Sequence, residues 1–404
     1  MGDSSHVRLS GPLAVFAAGY AQSLRQQGYT RNSTTEQVRL LAHLSRWLSR
    51  QGLTVHGLCS ADLDRFLRAR RRRGYGQYLT WRALQPVLTY LRDRGVTLTP
   101  QPVTHDAVSL LLGQYCEYLL HERGLAPGTV RHYADAVRPF LQGRTAANRL
   151  TVDWGSLEAT DVTAFVVSRT AQQSRGTAQF MVTALRSLLR FLHVHAMIAR
   201  PLAAAVPAVT RWRLASLPKS LTSSEVRALL ASCDRRTGAG RRDFAVLTTL
   251  VSLGVRAGEL AALRLEDIDW HDGTLIVRGK GHTRERLPLP TSVGQAIVSY
   301  LRRGRPATAT SRTVFVRVRA PHHALTAAGL TQIVCSAACR AGLGPIYAHR
   351  LRHTAATQML RAGVGLPEIG QVLRHRHLLT TAIYAKVDRQ RLRTIARVWP
   401  GGVA

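Results

Sequence analysis

The sequence predicts a mainly α-helical protein with a small β-hairpin or sheet in its C-terminal part. Apolar residues recur at the spacing of a helix face through most of the chain, as in residues 38–48. Strand-like patterning is confined to residues 274–289. A chain of 404 residues also exceeds one ordinary hydrophobic core. We therefore expect three domains, which we place at residues 1–100, 103–212 and 218–404.

The first two predicted domains resemble each other in sequence. Residues 61–63 (Ala-Asp-Leu) correspond to residues 160–162 (Thr-Asp-Val), and residues 83–91 correspond to residues 184–192 at a similar separation. Such self-similarity is typical of a duplicated module. We expect residues 1–100 to be a helical duplicate of the second domain. The second domain ends in residues 201–218, rich in proline and alanine, which we interpret as a linker.

The third predicted domain begins with a helix and contains the hairpin. Thr222 and Glu225 have the spacing of a capping box, which marks a helix start. Residues 274–277 and 286–289 read as two strands on either side of the turn Gly279-Lys280-Gly281. Helical patterning returns after Thr326 and continues to Trp399.

Charge is the strongest signal in the composition. The chain has 56 Lys and Arg residues against 23 Asp and Glu residues, a formal net charge of +33. A field of this sign and size attracts polyanions, so we expect a nucleic acid as partner. Only three of the basic residues are lysines: Lys219, Lys280 and Lys386.

Several classes of protein are not expected. The N-terminal residues have no basic start followed by an apolar stretch, and no run of about 18 apolar residues occurs. We therefore expect a cytoplasmic protein without a membrane partner. The five cysteines are scattered and odd in number, so we expect reduced cysteines and no metal site.

Five spaced motifs of the third domain resemble the tyrosine recombinase (phage integrase) family, which includes the Xer recombinases and lambda integrase. Together they span about 130 residues, and any one alone would be a weak signal. The motifs are Gly254-Val255-Arg256-Ala257-Gly258-Glu259-Leu260, Gly279-Lys280-Gly281, His349-Arg350-Leu351-Arg352-His353, Leu373-Arg374-His375 and Thr380-Thr381-Ala382-Ile383-Tyr384. One departure is Arg374, which stands where the family usually has glycine.

The resemblance implies a role for each catalytic residue. Tyr384 is the nucleophile that forms a covalent bond to a DNA phosphate. Arg256 and Arg352 neutralise the non-bridging phosphate oxygens, since a guanidinium is permanently charged and can bind bidentately. His349 is the general base and, in the return step, the acid.

Two further residues complete the implied site. His375 donates a hydrogen bond to the phosphate. Lys280 protonates the leaving 5′-oxygen, because an ammonium group can release a proton whereas a guanidinium, with its pKa above about 12, is a poor acid. We expect Glu259 to be structural, and His353 to be structural or to face the DNA.

The resemblance also implies the reaction and its assembly. We expect a site-specific recombinase that integrates, excises or resolves a DNA element through a 3′-phosphotyrosine intermediate, without metal, nucleotide or other cofactor. Its partner is double-stranded DNA, held between a helical SAM-like core-binding domain and the catalytic domain. Family members act as four protomers on two DNA sites, so we expect a homotetramer or an assembly with sister recombinases.

Two alternatives remain at this point. A type IB topoisomerase uses related chemistry but relaxes supercoiled DNA as a monomer. A catalytically silent DNA-binding protein could instead assemble partner recombinases. The intact set of six site residues argues against the second alternative.

The first domain lies outside the usual two-domain pattern of the family. It carries Arg65, Arg68 and the run of residues 70–73, all arginine, close to three aromatic residues. We expect these arginines to add phosphate contacts, at DNA that flanks the core site or at a separate site. A solvated charged face is the alternative.

Overall fold

The computed structural model describes residues 9–96, 106–145, 151–209, 219–279, 283–374, 381, 383 and 384. About 62% of the chain is helical, with one three-stranded antiparallel sheet in the described part, which confirms the predicted fold class. The chain forms two compact units, Met1–Thr99 together with Ser216–Ala404, and Pro100–Ala215. The three-domain division stays a prediction. No helix among the described ranges is long and apolar enough to cross a membrane.

The first helical segment packs around its own apolar core. Its longest helix, α2, has Thr30 as N-cap, whose side chain accepts a hydrogen bond from the Ser33 amide at 3.3 Å. Leucines and aromatic rings on the inner helix faces form the core. The helices are α1 Ala17–Gln26, α2 Arg31–Arg50, α3 Ser60–Arg72 and α4 Trp81–Asp93, after a short 3₁₀ turn at Ala14–Phe16.

The second helical segment has the same order of helices and a separate core. It contains α5 Ala107–Glu117, α6 Pro127–Gly143, α7 Ala159–Thr170 and α8 Arg175–Val194, with a π-helical turn at Tyr118–Glu122. The start of the predicted linker differs from our interpretation. Residues 202–205 form a 3₁₀ helix, and Leu202 and Val206 pack into this core because their side chains are apolar. Residues 210–218 of that stretch lie outside the described residues.

The C-terminal segment opens as expected, with the Thr222–Glu225 capping box at the start of its first helix. Glu225 Oε2 accepts the Thr222 amide at 2.7 Å, and Thr222 Oγ1 accepts the Glu225 amide at 3.2 Å. The helices are α9 Ser223–Ala231, α10 Gly238–Leu253, α11 Ala257–Ala261, α12 Thr291–Arg303, α13 Ala327–Arg340, α14 Ala348–Arg361 and α15 Leu366–Val372. They surround a core that α10, α12 and α13 share.

The hairpin has one strand more than predicted, and its second strand begins earlier. The strands are β1 Ile268–Asp269, β2 Thr274–Arg278 and β3 Arg284–Pro288, in the order β1-β2-β3. Polar Arg284 and Glu285 continue the ladder opposite Arg278 and Val277, which alternation of apolar residues could not reveal. The Gly279 amide donates to the Thr283 carbonyl at 2.8 Å, which extends the pairing by one step beyond Arg278 and Arg284.

The first and last segments are in contact through Gly28, within the unit that they share. The φ of Gly28 is +86°, and a Cβ there would lie 2.4 Å from Thr308 Oγ1 and 2.5 Å from His322 Nε2. Both the backbone conformation and the close approach require glycine.

Candidate active site

Helix α14 presents the His349–His353 motif. His349 and His353 are four residues apart, which places them on one face of a helix, and their ring centroids lie 4.5 Å apart. Arg352 points into the protein and is 2% exposed. The motif therefore contributes two neighbouring imidazole rings and one buried guanidinium group.

Arg352 links two of the other sequence motifs. Its Nη1 donates to the Gly254 carbonyl at 2.7 Å, and its Nη2 donates to the Leu373 carbonyl. Burial, together with the charge of Arg256, lowers the pKa of Arg352 to about 10, so the side chain stays positive at neutral pH. Arg352 thus holds the backbone just before Arg256 and just before His375.

Gly254 is required where it stands. It ends α10 with a φ of +59°, the left-handed conformation that glycine adopts without strain. A Cβ there would lie 2.7 Å from Leu373 Cδ2 and 3.1 Å from Ala355 Cβ. This close approach brings the Gly254 carbonyl within reach of Arg352.

Arg256 is the more accessible of the two predicted phosphate-binding arginines, with its side chain 46% exposed. It precedes α11, where its amide donates to Glu259 Oε2 at 2.8 Å and its Nη1 to Oε1 at 2.6 Å. Its Nη2 also donates to the Arg374 carbonyl at 3.1 Å. Three hydrogen bonds fix its position while leaving one side open to a ligand.

Glu259 is a buried carboxylate that two arginines share. Arg374 Nη2 lies 2.6 Å from Glu259 Oε2, and the two side chains are 6% and 4% exposed. Burial alone would raise the pKa of Glu259, but the Arg256 amide and the charges of Arg374 and Arg256 outweigh it, and the pKa is lowered. Glu259 therefore carries its charge and braces Arg256, as we expected.

Arg374, which stands where the family usually has glycine, has a left-handed backbone conformation. Its φ is +56°, which costs a residue with a side chain about 1–2 kcal/mol relative to a right-handed conformation. The side chain compensates through its ion pair with Glu259, and its Nε lies 3.9 Å from Glu285 Oε2. The departure from the family motif thus adds a buried positive charge beside Arg256.

Tyr384 lies under an apolar cover and contacts His353. The residue is 2% exposed and packs with Ala356, Leu360, Ile369 and Leu373. Its hydroxyl oxygen lies 2.8 Å from His353 Nδ1. The sequence did not assign His353 to the reaction; the signal was its position four residues after His349.

The protonation states suit a resting nucleophile. Burial raises the pKa of Tyr384 to about 12, although the charge of Arg352 acts in the opposite direction. Burial, His349 and Arg352 lower the pKa of His353 to about 4. A protonated phenol can therefore donate its hydrogen to a neutral His353 Nδ1 at pH 7.

His349 also has a lowered pKa while it remains accessible to solvent. Partial burial of its imidazole, together with the positive charges of Arg352 and Arg256, lowers the pKa of His349. A neutral imidazole at pH 7 is the form that can accept a proton.

Two predicted site residues, Lys280 and His375, lie outside the described residues. The structure brings the other four together through neighbouring residues. Arg256 contacts Arg374 and Arg352 contacts Leu373, while His353 contacts both His349 and Tyr384. Among the described residues there is no group of three His, Cys, Asp or Glu side chains that could hold a metal ion.

Two family models match the chain after residue 111. Residues 219–391 match the phage integrase family, and residues 112–195 match the phage integrase N-terminal SAM-like domain. The second match bears out the expected SAM-like fold of the second helical segment.

Known proteins match over longer ranges. The integrase/recombinase y4rA of Sinorhizobium fredii is 40% identical over 397 residues, which cover 97% of this chain and 95% of that protein. The tyrosine recombinase XerD of Listeria monocytogenes is 31% identical over 291 residues, covering 70% of this chain and 96% of XerD.

A solved structure shows the same fold. The XerH site-specific recombinase, in a post-cleavage complex with its palindromic difH substrate, matches with a TM-score of 0.55 and 20% identity, covering 73% of this chain and 96% of XerH. With its motifs, two family models and a full-length relative in agreement, the chain belongs to the phage integrase family of tyrosine recombinases.

Proposed function

We propose that this protein is a site-specific DNA recombinase that cleaves and rejoins duplex DNA through a 3′-phosphotyrosine bond on Tyr384. The reaction would integrate, excise or resolve a DNA element. One observation carries the proposal: motifs that lie 21 to 98 positions apart meet at one place. Arg352 donates to the Gly254 and Leu373 carbonyls, and His353 contacts Tyr384.

The cleavage step is a transfer of the phosphoryl group to Tyr384. The Tyr384 oxygen bonds to phosphorus, and the bond from phosphorus to the 5′-bridging oxygen breaks. Lys280 supplies the proton that the leaving oxygen needs. The phenol proton passes to an imidazole, for which His349 is the candidate from the family resemblance. His353, 2.8 Å from the hydroxyl, holds the phenol before the attack.

The arginines stabilise the charge on the phosphorane-like transition state. Arg256 is half exposed and held by Glu259, so it can bind a non-bridging oxygen without being released from its brace. His375 completes the clamp, and we propose that Arg352, which is 2% exposed, joins it once DNA binding has rearranged its surroundings. Arg374 adds a fixed charge close by, and Glu259 offsets part of it.

Tyr384 has to leave its apolar cover for the attack, because a side chain that is 2% exposed offers little access to a phosphate. We propose that DNA binding shifts Tyr384 away from His353. The phosphotyrosine retains the energy of the broken bond, so the 5′-hydroxyl of another strand can attack it and reseal the DNA. Neither ATP nor a metal ion is needed for that exchange.

The assembly follows from the family. We propose that residues 103–212 and 218–404 each contact duplex DNA, and that four protomers, or sister recombinases, act on two DNA sites.

A nicked DNA substrate tests the proposal. DNA that the protein binds in cells is captured and sequenced, and a nick is placed so that the cleaved fragment diffuses away. Wild-type protein with EDTA should yield an adduct that resists detergent and is removed by protease. Tyr384→Phe should bind the same DNA and form no adduct. Failure of the wild-type protein to form an adduct would support the silent accessory protein instead, and relaxation of supercoiled plasmid without strand exchange would support the topoisomerase.

A further inference from the structure

We propose that helices α2 and α3 of the first helical segment form a second DNA-binding site, which grips the phosphate backbone of duplex DNA outside the catalytic region. The proposal rests on the proposed function in taking DNA as the substrate. Neither family model covers these helices, since the two matches begin at residues 112 and 219. Helices α2 and α3 therefore lie outside both family matches.

The site consists of two adjoining recesses that share Trp47, Ala69 and Arg73 as lining residues. We call them together the α2–α3 recess. No carboxylate is among the residues that line it. Its accessible arginines are Arg46, Arg50, Arg65, Arg68, Arg72 and Arg73. Of these, Arg65 pairs with Asp62, so five positive charges are free of the ion pairs found in the described residues.

Arg70 differs from its neighbours and forms the base of the recess. It is 7% exposed, its Nη1 lies 2.9 Å from His43 Nδ1, and its guanidinium stacks 4.2 Å from the Tyr75 ring centroid. Our expectation that Arg70 contacts phosphate was therefore wrong, because the side chain is used inside the segment. The buried arginine adds a fixed positive charge below the exposed ones.

The recess favours phosphate over bases as ligand. The Tyr75 ring is covered by Arg70 on a face and approached by His43 at its edge, and Trp47 packs against Phe66 at 5.8 Å. Trp47 is 9% exposed and Arg70 occupies one face of the Tyr75 ring, so the two rings offer an unpaired base only one open face, on Tyr75, which is 39% exposed. Guanidinium groups without acidic partners bind phosphate oxygens instead.

The second helical segment offers an internal comparison, because α7 corresponds to α3. Asp62 accepts the Cys59 amide at the start of α3, and Asp161 accepts the Glu158 amide at the start of α7, both at 3.0 Å. The same offset of 99 residues relates two further pairs: Arg70 lies 5.8 Å from the Phe66 ring, and Arg169 lies 6.0 Å from the Phe165 ring.

The exposed faces of these two helices differ in charge. At the offset that aligns their caps, three exposed arginines of α3 correspond to three exposed residues without charge, two in α7 and one at its C-cap. The aligned pairs are Arg65 and Ala164, Arg68 and Val167, and Arg72 and Ala171. The fold of the module therefore does not require these arginines, and neither does the arginine-rich composition, since α7 belongs to the same chain.

Stabilisation of helix ends explains only part of the pattern. Arg50 and Arg72 are the last residues of α2 and α3, where a positive charge stabilises the helix dipole by about 0.3–1 kcal/mol. Arg46 and Arg68 stand a turn earlier, and Arg46 with Arg70 and Arg73 acts on His43, whose pKa burial and these charges lower. The charges accumulate on one surface, which costs stability unless an anion binds there.

The salt dependence of DNA binding tests the proposal. The full chain carries Arg50→Gln, Arg68→Gln and Arg73→Gln together, which span both recesses. The matched control carries Arg31→Gln, Arg82→Gln and Arg92→Gln, exposed arginines of the same segment that line neither recess. The probe is a labelled duplex of mixed sequence, and anisotropy gives its affinity from about 50 to 200 mM salt.

Each lost phosphate contact lowers the slope of log affinity against log salt by about 0.9. The recess variant should therefore have a slope smaller by about 2 to 3. Across the fourfold salt range the wild-type affinity should then fall roughly 40-fold further than that of the variant. The control should change the slope by less than about 1.

Two results would overturn the proposal. Equal slopes in the recess and control variants would mean that the recess has no special contact with DNA. An unchanged slope with altered sedimentation of the recess variant would assign the surface to protein assembly. Adduct formation on the nicked substrate is measured separately. Wild-type protein that forms no Tyr384 adduct would contradict the recombinase function, and it would leave the proposed DNA contact of the α2–α3 recess untouched.

Discussion

Replacement of Arg374 tests whether an ion pair offsets backbone strain in the candidate active site. Arg374→Gly removes the cost of the left-handed conformation, about 1–2 kcal/mol, and Arg374→Ala keeps it. Both remove the buried contact to Glu259. Breaking a buried ion pair typically costs about 3–5 kcal/mol, but Glu259 keeps two hydrogen bonds from Arg256. We therefore expect a cost nearer 2–3 kcal/mol for the lost contact.

The two terms predict an order of stabilities. Wild-type protein should be the most stable, Arg374→Gly about 1 kcal/mol less stable, and Arg374→Ala about 1–2 kcal/mol below the glycine variant, which is the strain that glycine relieves. Urea unfolding followed by fluorescence measures the differences in the free energy of unfolding. The variants differ only at position 374, so the contributions of the other segments cancel in these differences. In a Glu259→Gln background, the loss on Arg374→Gly should shrink by at least about 1 kcal/mol, because the pair is already broken.

Two outcomes would refute this reasoning. Equal stabilities of the glycine and alanine variants would show that the backbone at Arg374 is unstrained. A glycine variant more stable than wild type would show that the pair with Glu259 contributes less than the strain costs.

Three further predictions concern the reaction and the fold. Lys280→Arg should slow cleavage about 10²-fold or more by removing the general acid, and a 5′-bridging sulfur, which leaves without a proton, should restore much of the rate; no rescue would limit Lys280 to binding DNA. The pKa of His353 is lowered in the folded chain, so the unfolded imidazole binds a proton more readily between about pH 6.5 and pH 4. From pH 6.5 to pH 5 this group should lower the free energy of unfolding by roughly 1–2 kcal/mol, a contribution that His353→Gln should remove; an unchanged pH dependence in His353→Gln would contradict it. Gly254→Ala should destabilise the protein by about 2–4 kcal/mol, since its Cβ would meet Leu373 and Ala355, and wild-type stability of this variant would refute the close packing.

Local sequence patterns predicted much of the fold. Capping residues marked helix starts, as at Thr222, and apolar periodicity found the long helices because one face of each is buried. The extent of β3 was missed since Arg284 and Glu285 pair through their backbone, which side-chain polarity does not report. The packing of Leu202 and Val206 was also missed, because proline and alanine nearby suggested a linker.

The candidate site was predicted from motif spacing, and its geometry was not. Arg352 meets Gly254 across 98 positions and Arg256 meets Arg374 across 118, contacts that only the tertiary fold creates. Burial likewise depends on that fold: Arg70 and Arg352 are buried, although we expected both to contact phosphate. The contact of His353 with Tyr384 joins residues 31 positions apart and was not foreseen.

Identification of the amino acid that carries the DNA tests the central claim most directly. The adduct from the nicked substrate is digested with protease and nuclease, and mass spectrometry locates the attached nucleotide. We predict a nucleotide linked through its 3′-phosphate to the phenolic oxygen of Tyr384, in a peptide that Tyr384→Phe does not yield. Attachment to another side chain, or an adduct that persists in Tyr384→Phe, would contradict the assignment of Tyr384 as the nucleophile.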